Sequence, residues 1–318
     1  MRPAARNEGI GDGEVLDEGH ELSIGVEFTF HAAGRPGRLE TVQFLLAVMR
    51  EGKLLRQSGP GPAALSGSEV HLWKISLDQA PKLSLTLREV LSPDEKRGIE
   101  GFHFERDKAS FCMCRGFLRT LLGRYIDTAP DEIRFQTGKY GKLSLDPFYH
   151  KEEIEFNVSH SGKMALLALA KNRRLGVDVE KVRSAARIDD ISRAFFSPQE
   201  DESIRALPDL MRVAAFYACW TRKEAAVKAL GASLMELSGE VIVSTPPGEP
   251  ARLLRLPREH GEPGAWHLHD LPVGQGYAAA LCYEGSSAAT FLWEPPGESI
   301  STAPEGAPAM MPPAGMKY

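Results

Sequence analysis

The chain has 318 residues, of which 42% are apolar and 25% charged, and its formal net charge is -5 at pH 7. This length accommodates one large domain or two smaller ones, and the composition is that of an ordinary soluble protein. A net negative charge without a long Lys/Arg run argues against a general nucleic-acid-binding protein. The four cysteines have neither zinc-ligand spacing nor the density of a disulfide framework, so we expect reduced, mostly buried thiols.

The beginning of the chain, residues 1–68, is predicted to be an N-terminal extension with a linker. Residues 1–20 are polar and Gly-rich, which is typical of disorder. Alternating apolar residues over 22–30 predict a strand, and helical periodicity over 39–49 predicts a helix. A stretch over 58–68 rich in Gly, Pro, Ala and Ser predicts the linker. We assign no function to this extension.

The first half of the core is predicted to start with a strand over 71–77, in which alternate apolar residues share a face. A helix start follows at Ser92, with Pro93 at the first helical position and Glu95 at the capping-box position. The same arrangement recurs at Ser197. After each start a long helical stretch runs to a Leu-Gly pair, which suggests two similar halves.

Helices and strands are mixed along the rest of the chain. After the first Leu-Gly pair, at Leu122-Gly123, strands are predicted near 133–135 and 156–158, followed by a buried strand over 164–170. Further strands are predicted over 241–243, 253–256, 266–268 and 277–282. Without a regular βαβ rhythm, this mixture predicts an α+β fold. From residue 295 onward, a composition rich in Pro, Gly, Ala and Ser predicts a disordered tail.

A short predicted strand over 175–181 carries two acids. Val177 and Val179 alternate with Asp178 and Glu180, which is the pattern of a strand that buries one face and exposes the other. Both carboxylates therefore leave the same side of the strand, and such oxygen ligands suit a hard cation such as Mg²⁺. An ordinary strand with a solvated acidic face would show the same pattern.

A segment rich in helix formers, 220–230, stops at Gly231, a residue suited to a helix C-cap. Trp220, Glu224 and Lys228 are spaced i, i+4, i+8 and so lie along one helical face. Taken alone, the Glu and the Lys are also compatible with an exposed helix pair. Together with the acidic strand, they provide three carboxylates and a lysine, a set suited to a metal-chelated pyrophosphate and to phosphoryl transfer.

These two segments resemble the paired signature of the 4′-phosphopantetheinyl transferases. The matching runs are Gly176-Val177-Asp178-Val179-Glu180 and Trp220-x-x-Lys223-Glu224-Ala225-x-x-Lys228, and Phe195-Phe196-Ser197 between them is typical of the larger, surfactin-synthetase-activating type. Two further matches precede them, Arg134-Phe135 leading into Tyr140-Gly141-Lys142, and Phe156-Asn157-Val158-Ser159-His160-Ser161-Gly162. The resemblance implies two pseudosymmetric α+β lobes, 69–179 and 180–294, with the active site between them.

The resemblance implies an enzyme that moves the phosphopantetheine arm of coenzyme A onto a serine of an acyl or peptidyl carrier protein and releases 3′,5′-ADP. Asp178, Glu180 and Glu224 match ligands of Mg²⁺, for which Mn²⁺ is an alternative. Glu224 is also the candidate general base, directly or through a water, and Lys228 would hold the departing phosphate. Members of the larger type often serve polyketide and nonribosomal peptide synthetases, although other carriers are also served in the family.

Further residues match positions of the family that bind coenzyme A. Ser159 and His160 match residues that hold the nucleotide phosphates. Lys142 matches a nucleotide-binding lysine, although Leu143 stands where the family usually has Pro. Lys96 aligns with a basic residue that reaches the 3′-phosphate, and a solvated helix face is the alternative for it.

Three other functions fit the sequence less well. A hydrolase using Ser159 and His160 is disfavoured, because adjacent residues on a strand point to opposite faces and no Gly-x-Ser-x-Gly elbow surrounds them. Another metal-dependent phosphotransferase or phosphohydrolase is disfavoured by the absence of a Gly-rich phosphate-binding motif from the sequence. A non-catalytic carrier-binding module is disfavoured by the intact set of acids and lysine.

The sequence also bears on location and assembly. The N-terminus lacks the apolar core of a signal peptide, and the longest apolar run, 164–170, is too short to cross a bilayer. We therefore expect a cytoplasmic protein with no nucleic-acid or membrane partner. Because one chain carries both lobes, we expect a monomer.

Overall fold

The computed structural model describes residues 65–183, 188–246 and 248–294, together with the backbone of 25–31, 39–50, 53–55 and 300–301. The strands are β1 (Gly25–His31), β2 (Leu39–Arg50), β3 (Lys53–Leu55), β4 (Glu69–Ser76), β5 (Phe135–Thr137), β6 (Leu143–Leu145), β7 (Ile154–Ser161), β8 (Met164–Lys171), β9 (Leu175–Lys181), β10 (Ile242–Val243), β11 (Leu253–Arg255), β12 (Trp266–Asp270), β13 (Tyr277–Glu284), β14 (Ala289–Glu294) and β15 (Ile300–Ser301).

The α-helices are α1 (Ala80–Glu89), α2 (Pro93–Ile99), α3 (Glu105–Tyr125), α4 (Ile188–Phe195), α5 (Pro198–Arg205), α6 (Asp209–Leu230) and α7 (Leu234–Leu237). Short 3-10 helices span Leu77–Gln79, Pro130–Glu132, Pro147–Glu152, Arg258–His260 and Pro263–Ala265. No described helix has both the length and the apolar character needed to span a membrane.

The main elements stack in four layers: helix, sheet, sheet, helix. The large sheet has the strand order β1-β2-β14-β4-β8-β7, with β3 and β15 also paired to β2, and the small sheet has the order β12-β13-β9. Only β4 and β14 pair in parallel among the described strands. Helix α3 packs against the outer face of the large sheet, and α6 packs against the small one. The predicted α+β class is therefore confirmed.

Strand β8 separates two of the apolar cores. Leu167 and Leu169 pack towards α3, whereas Leu166 and Ala168 pack towards the small sheet. Successive side chains of a strand point to opposite faces, so a strand covered on both sides is apolar throughout. A shared apolar core joins the two sheets, and β9 lies at the edge of the small sheet beside it.

Both predicted capping boxes are present. Ser92 and Ser197 each accept a hydrogen bond from the third residue of the helix that follows, and the Glu at that position accepts one from the serine N–H. Gly231 ends α6 in the left-handed conformation with φ of 75°, as expected of a C-cap. In contrast, α3 does not end at Gly123 but continues to Tyr125. A Cβ at Gly123 would lie 2.5 Å from the Thr128 carbonyl oxygen, so this glycine permits a close approach of the following loop.

The prediction of a helix over 39–49 is wrong, because this segment forms strand β2. It pairs with β1 along one edge and with β14 along the other. Thr41, Val42 and Phe44 favour strands, and pairing on both edges outweighs the local helical periodicity. The strand predicted over 22–30 is confirmed from Gly25 onward.

Other predictions about the ends of the chain lie mostly outside the described residues. This applies to disorder over 1–20, to most of the linker, and to most of the tail, although Ile300–Ser301 pair with β2. The lobe boundaries 69–179 and 180–294 stay a prediction. Strand β14, which they place in the second lobe, pairs with β4 in the large sheet.

The four cysteines agree with the expectation of unpaired thiols. Cys112, Cys219 and Cys282 are buried, Cys114 is half-buried, and all four are free. Burial raises the pKa of each of these thiols.

Candidate active site

The site is built where α6 crosses β9. A Cβ at Gly176 would lie 2.2 Å from the Ala225 carbonyl oxygen and 2.5 Å from the Ala229 amide nitrogen. Only a residue without a side chain allows the two backbones to come this close. The contact places the face of α6 that carries Glu224 and Lys228 over the acids of β9.

A second contact joins β9 to β7, the edge strand of the large sheet. Polar side chains at every second position of β7 accept the backbone N–H groups at every second position of β9. The three pairs are Asn157 with Val177 at 2.9 Å, Ser159 with Val179 at 3.4 Å, and Ser161 with Lys181 at 3.1 Å. We call these three β7 residues the polar seam, and they supply the acceptors that a neighbouring strand would otherwise provide.

The centre of the site is a contact between Asp178 and Lys228. The Lys228 Nζ lies 2.5 Å from Asp178 Oδ1, and the Ser159 hydroxyl donates to the same oxygen at 2.8 Å. Lys228 Nζ is also 3.3 Å from Ser159 Oγ. The predicted motifs of β7, β9 and α6 therefore meet at one carboxylate.

The alternative interpretation of β9, an ordinary strand with a solvated acidic face, does not hold for Asp178. Asp178 is only 3% exposed, because α6 covers the side of β9 on which the Asp178 carboxylate lies. A buried carboxylate needs compensating partners, and the ammonium and the hydroxyl provide them at Oδ1. Asp178 Oδ2 is buried without a hydrogen-bond partner among the described residues.

Glu180 and Glu224 are half-buried beside this centre. Burial raises the pKa of Glu180, against the lowering effect of a hydrogen bond from the Ser161 hydroxyl at 2.6 Å. Burial also raises the pKa of Glu224. The positive charge of Lys228 lowers this pKa, and the negative charges of Asp178 and Glu180 raise it. The mutual effects show that the three predicted acids share one electrostatic environment.

The donor set fits a hard divalent cation in its chemistry. Three carboxylates repel one another, and Asp178 Oδ2 is a buried oxygen that no described residue hydrogen-bonds. In the arrangement that the structure gives to residues 65–183, 188–246 and 248–294, no three His, Cys, Asp or Glu side chains converge as metal ligands. The ammonium of Lys228 instead lies against Asp178. The metal-ligand roles of Asp178, Glu180 and Glu224 stay a prediction.

The residues predicted to bind coenzyme A are distributed differently. Ser159 belongs to the central cluster, whereas His160 is exposed and follows it on the opposite face of β7. Lys142 Nζ donates to the carbonyl oxygens of Lys228 at 2.8 Å and Leu175 at 3.2 Å, and burial lowers its pKa. Lys142 therefore lies at the C-terminal end of α6, next to the central cluster.

Lys96 lies on α2, where its ammonium donates to the Glu89 carbonyl oxygen at 2.9 Å. Within the described part of the chain, no hydrogen bond or ion pair joins Lys96 to the central cluster. Its predicted contact with a phosphate stays a prediction.

Sequence reasoning missed the contribution of Ser161, and also two buried cations of α6. Arg222 forms a two-point contact with Asp270 at 2.8 and 2.5 Å, and Lys223 pairs with Glu200 at 2.9 Å. Both cations are fully buried and also donate to backbone carbonyls. The sequence signal for these two buried cations is a pair of adjacent basic residues beside an apolar helix face. It does not identify their partners, Asp270 and Glu200, which are remote in sequence.

Comparison with known proteins agrees with this geometry. Residues 174–282 match the family model described as 4′-phosphopantetheinyl transferase superfamily, and residues 77–172 match the one described as 4′-phosphopantetheinyl transferase, N-terminal. The chain is 34% identical over 236 residues to the 4′-phosphopantetheinyl transferase HetI of Nostoc sp., covering 74% of this chain and 94% of that protein. The chain belongs to the 4′-phosphopantetheinyl transferase superfamily.

Two other members of this superfamily are more distant. The 4′-phosphopantetheinyl transferase Sfp of Bacillus subtilis is 25% identical over 193 residues, which are 60% of this chain and 81% of Sfp. The L-aminoadipate-semialdehyde dehydrogenase-phosphopantetheinyl transferase of Mus musculus is 31% identical over 158 residues, 47% of this chain and 51% of the mouse protein. The resemblance inferred from the motifs is thus confirmed, and the chain is a 4′-phosphopantetheinyl transferase.

Proposed function

We propose that this transferase moves the 4′-phosphopantetheine arm of coenzyme A onto the serine hydroxyl of an acyl or peptidyl carrier protein and releases 3′,5′-ADP. The observation that carries the proposal is the contact of Lys228 with Asp178 at 2.5 Å, with Glu180 and Glu224 beside it where β7, β9 and α6 meet. A cation, three acids and a hydroxyl in one cluster suit the binding and cleavage of a pyrophosphate.

The reaction exchanges one phosphorus–oxygen bond for another. The carrier serine oxygen bonds to the phosphorus of the phosphopantetheine group, and the bond from that phosphorus to the oxygen of the departing 3′,5′-ADP breaks. Glu224 takes the serine proton, directly or through a water. Lys228, one helical turn further along α6, stabilises the negative charge that grows on the departing phosphate.

Asp178, Glu180 and Glu224 would hold Mg²⁺, or Mn²⁺ in its place. A bound ion of this kind neutralises pyrophosphate charge and aligns the reacting groups. The unpartnered Oδ2 of Asp178 supports this role, because it is a buried oxygen available for a ligand. Lys228 Nζ would then turn from Asp178 towards the phosphate.

Coenzyme A would lie beside Ser159, at the central cluster. We assign its phosphates to Ser159, His160 and Lys228, and its nucleotide to Lys142 and Lys96. The position of Lys142 at the carbonyl of Lys228 supports a place for the nucleotide near the end of α6. Lys96 would reach the 3′-phosphate from α2.

The carrier proteins proposed as partners belong to polyketide and nonribosomal peptide synthetases. The similarity to Sfp and the presence of both lobes in one chain support the larger type of enzyme. We also propose that the protein is a cytoplasmic monomer that acts without a nucleic-acid or membrane partner. Gel filtration at the mass of one chain is expected, and a mass of two or more chains would contradict the monomer.

The variant Glu224→Gln tests the proposal. It keeps the side-chain volume but removes the base, so we expect coenzyme A to bind with near wild-type affinity while transfer is almost lost. The measurement is calorimetric binding of coenzyme A, together with chromatographic detection of 3′,5′-ADP in the presence of an apo carrier. An unchanged rate would remove Glu224 from the mechanism, and a wild-type protein that releases inorganic phosphate from ATP instead would contradict the proposed reaction.

A further inference from the structure

We propose that Ser161 is the positioning residue of Glu180, holding its carboxylate where it can serve as a metal ligand. The inference rests on the proposed function, since it deepens the role given there to Glu180. The Ser161 hydroxyl donates to Glu180 Oε2 at 2.6 Å, which is the usual length of a charge-assisted hydrogen bond from a hydroxyl to a carboxylate. No other hydrogen bond or ion pair to this carboxylate is found within the described part of the chain.

The direction of this hydrogen bond is set by the backbone of β9. Ser161 Oγ accepts the Lys181 N–H at 3.1 Å, so one lone pair of the oxygen is committed to the main chain. A hydroxyl has a single proton, and with its acceptor side engaged that proton is directed at the carboxylate. Glu180 is thereby tethered, through one hydroxyl, to the backbone of the next residue in its own strand.

The same arrangement occurs at the neighbouring acid, which supports its interpretation as a positioning device. Ser159 Oγ accepts the Val179 N–H and donates to Asp178 Oδ1. Asp178 has Lys228 as an additional partner. Among the described residues Glu180 has no cationic partner within ion-pair distance, and its side chain is longer with more rotamers, so it depends more strongly on its hydroxyl.

The turn that follows Ser161 is itself anchored on the small sheet. Lys163 N donates to Tyr277 Oη at 2.9 Å, and a Cβ at Gly162 would lie 2.9 Å from the same oxygen. Because Tyr277 pairs with Lys181 in the sheet, the turn is held against the end of β9 that carries Glu180. The position of the Ser161 hydroxyl is therefore determined by two contacts, its own with the Lys181 N–H and that of the following turn with Tyr277.

The test measures metal binding in the absence of turnover. Mn²⁺ is titrated into the protein with coenzyme A but no carrier, and free Mn²⁺ is followed by electron paramagnetic resonance. Removal of a residue that orients a metal ligand commonly weakens metal affinity, so we expect Ser161→Ala to lose about tenfold or more. Ser161→Thr retains the hydroxyl and is expected to restore the affinity.

Asn157→Ala is the matched control. It removes a polar-seam acceptor of a β9 N–H but touches no carboxylate, so it should cost stability and leave Mn²⁺ affinity as in the wild type. If Ser161→Ala does not fold, Ser161→Cys, which keeps the side-chain shape with a slightly larger and weaker donor, is expected to show the same direction of loss.

The outcomes separate this inference from the proposed function. Loss of affinity in Ser161→Ala but not in Asn157→Ala supports the positioning role. Equal Mn²⁺ affinity in Ser161→Ala and the wild type, or equal losses in Ser161→Ala and Asn157→Ala, would overturn it while leaving the metal site intact. A wild-type protein that binds no Mn²⁺ with coenzyme A present would overturn the metal part of the proposed function as well.

Discussion

Lys223 of α6 and Glu200 of α5 form an ion pair of 2.9 Å in which the side chains are 0% and 1% exposed. Lys223 Nζ also donates to the carbonyl oxygens of Ser238 and Val241, and Glu200 accepts the N–H of Val243 at 2.9 Å. The pair therefore connects α5, α6 and β10. The pair fixes the rotation of α6 about its axis, and the residue after Lys223 is Glu224, the predicted general base.

Breaking this pair on one side should be strongly destabilising. Lys223→Met leaves the Glu200 carboxylate buried without its counter-charge, and we expect the free energy of unfolding to fall by about 3–5 kcal/mol. The double variant with Glu200→Gln removes the uncompensated charge and should lose less than the sum of the single variants. Urea unfolding of the four proteins measures the coupling. Strict additivity would contradict the account of the pair.

The close packing of β9 and α6 predicts that Gly176→Ala is damaging. The added methyl group would overlap the backbone of α6, so the helix must move away from the strand. We expect a loss of about 1–3 kcal/mol in the free energy of unfolding, as for other overpacked sites. The transfer rate should fall as well, because Glu224 and Lys228 shift relative to Asp178.

Gly98→Ala is the matched control for this prediction. Gly98 lies within α2, and an added Cβ there meets no atom within 4 Å. Alanine should stabilise this helix by about 0.5–1 kcal/mol. Equal stability of the two variants would show that α6 and β9 are less tightly packed than described.

Buried His71 predicts a loss of stability in mild acid. Burial lowers the pKa of His71 from the ordinary value of 6.5 to about 4, although Glu69 acts in the opposite direction. The unfolded chain therefore takes up a proton at this residue at higher pH than the folded chain. The stability gained by keeping His71 neutral is fully present above pH 6.5 and is lost as the pH falls towards about 4, by at most about 1.4 kcal/mol per pH unit.

The measurement is urea unfolding at several pH values between these limits, compared with His71→Gln. The His71 Nδ1 contact with the Tyr125 hydroxyl at 2.7 Å is lost or weakened in the variant at every pH, so both proteins must be followed as slopes against pH. We expect a shallower slope for the variant. An identical slope would assign the acid sensitivity to other groups.

The elements of the core were predictable where local signals agree with packing. The two capping boxes at Ser92 and Ser197 are determined by neighbouring residues, and the apolar run of β8 follows from its burial on both faces. Strand β2 was not predictable in the same way. Its helical periodicity is local, whereas its pairing with β14 depends on residues far away in the chain.

In the site, too, local features could be predicted from the sequence and features that depend on tertiary packing could not. Alternation along β9 predicts correctly that Asp178 and Glu180 share a side, but it carries no information about what covers that side. That Asp178 is buried beneath α6 follows from the absence of a side chain at Gly176, a consequence visible only once the two elements are docked. The role of Ser161 likewise depends on the register between β7 and β9, which belong to different sheets.

The central claim is best tested by the intact mass of an apo carrier domain after incubation with this protein, coenzyme A and Mg²⁺. The account predicts a mass gain of one phosphopantetheinyl group that is absent with EDTA and absent when the carrier serine is replaced by Ala. No gain on any of several carrier types, from a protein that still binds coenzyme A, would contradict the proposed transfer and favour a non-catalytic carrier-binding role.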